Sequence, residues 1–101
     1  MFYNVVKAKD LADLDGKELK KETLMEDNGN CLSIVALKKD KIIDTHTSTK
    51  DAAVYVLDGE IEIHFDAEKF TLDKGEMIMF KKDKEHKVFA KKDSKFLLIK
   101  I

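Results

Sequence analysis

Tyr55–Phe65, YVLDGEIEIHF, is the stretch from which the rest of the chain is best read. Glu60, Glu62 and His64 alternate with Ile61, Ile63 and Phe65, the period of two that gives a strand one wet face and one core face. Just before the break, residues 53 to 57 (AVYVL) are apolar on both faces. Asp58-Gly59 between them has the composition of a hairpin turn, because type I′ turns need positive φ. The same reading extends outward. The chain has no proline and four glycines, and Gly16, Gly29, Gly59 and Gly75 all fall at breaks, where hairpin turns are expected. Residues 31 to 37 (CLSIVAL), 76 to 80 (EMIMF) and 96 to 101 (FLLIKI) are apolar on both faces, as in strands covered by a second sheet. Residues 16 to 27 (GKELKKETLMED) favour helix by propensity, but a fold of nine or ten strands takes them as an edge strand. There is no internal repeat.

At 101 residues the chain predicts one domain, which buries roughly 65% of the unfolded surface around a single core. Nineteen basic and twenty acidic residues leave a net charge of -1, which offers no field for gathering nucleic acid or an anionic membrane. Every basic residue is lysine, so the arginine fork that usually grips phosphate is missing. The longest apolar run, residues 52 to 57, is too short to cross a bilayer, and the N-terminal residues have no export pattern. A soluble cytoplasmic protein is expected. The single cysteine, Cys31, reads as a small buried apolar residue of a reducing compartment. Residues 81 to 95 hold seven lysines among three acids, interspersed as in a solvated face. No P-loop, dinucleotide fingerprint or Cys-x-x-Cys pair is present.

Short strands at regular spacing lead to a family. Reading back from Gly59, the spacing of a glycine, His-x-His, glutamate, glycine motif falls on Asp40, His46, Ser48, Ala52 and Gly59. A second motif falls in register on Gly75 and His86, with Lys81, Asp83 and Ala90 at its proline, second glycine and asparagine. With YVLDGE matching a core strand pair, Cys31–Ile101 resembles the cupins, in particular compact single-domain bacterial ones. The resemblance implies an all-β double-stranded β-helix, or jelly-roll barrel. One domain then spans residues 1 to 101, with residues 1 to 30 adding outer strands and 31 to 101 forming the barrel. It also implies a homodimer, with which the apolar start MFYNVV is compatible as an exchanged strand.

In cupins with a full set, three imidazoles and one carboxylate hold Mn, Fe, Ni, Cu or Zn. Here Ser48 replaces one histidine and Ala52 the carboxylate, leaving His46 and His86 as the metal ligands that the resemblance implies. Asp44, two residues before His46, shares its face if the strand is regular, and Cys31, Met77 or Met79 are the remaining sources of a donor. The pocket expected around the two histidines is widened by Ser48 and Ala52 and walled by Val54, Val56, Ile42, Met77 and Met79. It suits an apolar or aromatic small molecule better than an anion. His64 alternates outward and stays outside it. Two functions follow as expectations. The first is a non-enzymatic binding or sensing barrel anchored by His46 and His86. The alternative is a metal-dependent enzyme of the dioxygenase or isomerase kind, completed by Asp44, water or substrate.

Overall fold

The computed structural model describes residues 3–101, and among these nine strands form two facing sheets. In chain order they are β1 (Leu19–Asp27), β2 (Asn30–Leu37), β3 (Ile42–His46), β4 (Ala52–Asp58), β5 (Glu60–His64), β6 (Lys69–Asp73), β7 (Met77–Phe80), β8 (His86–Ala90) and β9 (Ser94–Lys100). One sheet runs β1-β2-β9-β4-β7 and the other β3-β8-β5-β6, with every pairing antiparallel. This is an all-β jelly roll. Among the described residues no helix is long and apolar enough to cross a membrane.

The glycines do less pairing than their turns suggest. Asn28-Gly29 does close a two-residue hairpin, both residues at positive φ and Asp27 paired with Asn30. Asp58-Gly59 and Lys74-Gly75 are instead corners at which the chain leaves one sheet for the other, since β4 does not pair with β5 nor β6 with β7. Local turn chemistry specifies positive φ and cannot say which strand lies alongside. The hairpin β5–β6 turns without glycine, closed by Phe65 N–H donating to Glu68 O at 2.8 Å.

The core lies between the sheets. Val35, Leu37, Val54, Val56, Ile61, Ile63, Leu72, Val88, Ala90 and Phe96 fill it. Each such aliphatic side chain, fully buried, is worth about 1.5–3 kcal/mol. Residues 19 to 27 form a strand at the sheet edge despite their helical composition, because β1 takes its hydrogen bonds from the whole length of β2. The outer face of β2 is covered, though by no second sheet. Ile34 and Ala36 pack beneath Ala8, Leu11, Ala12 and Leu14, from a segment with one 3-10 turn at Ala8–Asp10. Of the start expected as an exchanged strand, Tyr3–Val6 form no strand, and Met1 and Phe2 lie outside the described residues.

Candidate functional site

Two strands of the smaller sheet carry the histidines to one end of the core. In β8, His86, Val88 and Ala90 face inward, and His86 is 6% exposed. In β3, Ile43 pairs with Val88 on that inner face, so regular alternation would send His46 outward with Ile42. A bulge between Ile43 and His46 reverses this and sets His46 opposite His86. The ring centroids stand 4.2 Å apart, His46 at the exposed rim and His86 beneath it.

Both rings are held the same way. His46 Nδ1–H donates to Asp44 O and His86 Nδ1–H donates to Lys84 O, each at 2.8 Å. A carbonyl only accepts, so in the neutral rings the proton sits on Nδ1 and both Nε2 atoms keep their lone pairs. Burial lowers the His86 pKa most, the Lys84 carbonyl raises it, and His46 and Lys100 lower it further through their charge. Two aromatic rings complete the surroundings: Phe80 stands 4.7 Å from His86 and Phe65 stands 6.0 Å from it, centroid to centroid.

The other expected site residues divide. Ala52, Val54 and Val56 are buried on the inner face of β4, where Ala52 flanks Phe80 of β7. Ser48 is buried, but its hydroxyl donates to Lys50 O at 2.8 Å and accepts from Lys50 N–H at 3.1 Å, which occupies it within a turn. Met77 and Met79, expected as inner walls, lie on the outer face beside Tyr55 and Ala53, and Ile78 and Phe80 face inward in their place, although both methionines still line the open groove at the edge of β7. Ile42 is likewise on the outer face, opposite Phe89, while Ile43 packs against the core. In both strands the wall moved by one residue, and with a period of two that exchanges faces. Asp44 serves through its backbone carbonyl and stands exposed. His64 is outside the core, its Nε2 2.9 Å from Glu62 Oε1. Phe65 and Phe80 were missed, although Phe65 continues the alternation of Ile61 and Ile63.

The resident metal of a full cupin set does not fit these residues. Two Nε2 atoms suit a transition metal, but Ala52 has no donor and Ser48 is occupied. Asp51 is turned to Lys82 N–H at 2.9 Å and Lys81 Nζ at 3.4 Å, and these contacts lower its pKa, the Lys82 N–H most. Among the described residues no group of three or more His, Cys, Asp or Glu side chains is placed to hold a metal ion.

An open groove of about 930 Å³ runs between the edge strands β6 and β7. Phe65 and Phe80 line it and also touch His86, so they form a wall common to groove and histidine pair.

The family model described as Cupin domain matches residues 33–101. No curated protein matches the chain. Among solved structures, a conserved protein of unknown function from Streptococcus pyogenes is 23% identical, with TM-score 0.89, covering 100% of this chain and 89% of that one. A cupin-2 domain containing protein from Shewanella frigidimarina is 26% identical, with TM-score 0.79, and the alignment covers 95% and 93% of the two chains. A cupin 2 conserved barrel domain protein from Leptotrichia buccalis is 29% identical, with TM-score 0.83, covering 94% of this chain and 46% of the other.

Proposed function

The chain belongs to the cupin family, and from that premise we propose that it is a non-enzymatic barrel that binds a small molecule at the end of its core. His46 and His86 are the polar anchors, and Phe65 and Phe80 are the apolar wall. The observation that carries this reading is the matched orientation of the two rings. Each Nδ1 is tied to a backbone carbonyl, so each Nε2 presents a lone pair without reorganisation. A ligand hydroxyl or amide N–H is the complementary partner.

The missing carboxylate argues against an enzyme. Proton transfer needs a positioned acid or base, and at the position where the family carries glutamate this chain has Ala52. The enzyme alternative needs its ligands completed by Asp44, water or substrate, and of these Asp44 meets His46 through its backbone carbonyl. A divalent metal here would be held by the two imidazoles of His46 and His86 alone, and weakly. The proposal includes a cytoplasmic location and a homodimer.

The test is elemental mass spectrometry on untagged protein, beside a His46→Ala/His86→Ala control. Metal well below one equivalent in both, with small-molecule hits in a thermal-shift screen that the double variant loses, is the expected result. Near-stoichiometric metal that disappears in the control would overturn it in favour of a metal enzyme.

A further inference from the structure

Lys100, near the end of β9, pairs with Cys31 of β2 on one side and Ala52 of β4 on the other. The period of two places it on the inner face with Phe96 and Leu98, both packed in the core. Its two lateral neighbours are small, and it lies at the same end of the core as the histidine pair. It is half-buried and forms no ion pair with any described residue. An inward ammonium is ordinarily matched by a carboxylate. Here the family's glutamate position is Ala52, and Asp51 is already turned to Lys81 and Lys82. Lys100 is close enough for its charge to act on His86. The groove between β6 and β7 has the opposite character, its rim carrying five acidic residues and only Lys81 and Lys84 in return.

We propose that the molecule bound at this end of the barrel carries one carboxylate on an apolar or aromatic body, with Lys100 as the counter-ion of the carboxylate and any hydroxyl or N–H of the same molecule left to meet the Nε2 atoms of His46 and His86. This rests on the reading of that end as a binding site, and with Lys100 on the inner face it reverses the expectation that the pocket suits an apolar or aromatic molecule better than an anion. One lysine with no arginine matches a single negative charge, held as a point charge, better than a phosphate. The apolar body packs on Phe65 and Phe80, away from the acidic rim of the groove.

The test is a panel of matched acids and carboxamides, from acetate to decanoate and from benzoate to indole-3-acetate, titrated into the intact protein. Imidazole C–H signals of His46 and His86 are followed by NMR, with His64 on the outer face as internal control. Acids are expected to bind about tenfold tighter than their amides. Lys100→Met is expected to abolish that preference, and Lys100→Arg to retain it. Equal affinity for acid and amide in the wild type would overturn the carboxylate assignment and leave the binding-site reading standing. No shift of His46 or His86 with any member, acid or amide, would overturn both.

Discussion

At Gly59 the backbone stands at φ +88°, and a Cβ added there would meet Asp93 O at 2.5 Å and Ser94 Cα at 2.7 Å, besides the Ser94 hydroxyl. That hydroxyl accepts from Glu60 N–H at 3.0 Å and donates to Lys92 O at 2.7 Å, so the corner is braced from both sides. Gly59→Ala is expected to cost about 3 kcal/mol, from positive φ and overlap together, read as a lowered urea midpoint with an unchanged slope. Gly75 has the same φ but nothing within 4 Å of such a Cβ, so Gly75→Ala should cost only about 1–2 kcal/mol. His86 carries a pH dependence. Its folded pKa lies below the ordinary 6.5, so just below pH 6.5 the unfolded chain binds more protons than the folded one. His86 therefore stabilises the fold fully above that pH. The contribution falls as pH drops through 6.5 and levels off below the depressed folded value. Denaturation midpoints between pH 7.5 and 5 should show this slope in the wild type and a smaller one in His86→Gln.

Among the elements, β2 and β7 show that an outer face means different things in one sheet. Ile34 faces away from the main core yet is 0% exposed, because residues 8 to 14 lie over it. Met79, on the outer face of β7, is 70% exposed. Ile34→Ala should destabilise by about 2–4 kcal/mol, as a core truncation does, and Met79→Ala by less than about 0.5 kcal/mol. Chemical denaturation of the two variants checks this, and similar costs would mean that the N-terminal segment gives Ile34 no cover. The bulge in β3 is the element-scale event on which the site depends. Apolar periodicity in IIDTH is too short to reveal one extra residue, whereas the pairing of His46 with His86 across the strands makes it unavoidable.

For the whole molecule the decisive feature is that strands distant in the chain become neighbours. β9 lies between β2 and β4, and β8 lies between β3 and β5, so each sheet closes only after the last strands arrive. Such topology makes folding slow, on the order of milliseconds to seconds; stopped-flow refolding should show a single phase in that range, and microsecond folding would contradict this topology. The alternation in YVLDGEIEIHF determined by itself that the chain is β-structured, which residues of β5 face inward, and that positive φ is needed at Gly59. Histidines at family spacing marked His46 and His86 for the same reason, since spacing survives where ligands change. Tertiary structure alone decided that Asp58-Gly59 turns a corner between sheets and closes no hairpin, that Met77 and Met79 lie on the outer face of β7, and that Lys100 lies on the inner face of β9. The physical reason is common to all three. A period of two says that neighbouring residues face opposite ways, but which face is the inner one is settled only by the strands that pair on either side.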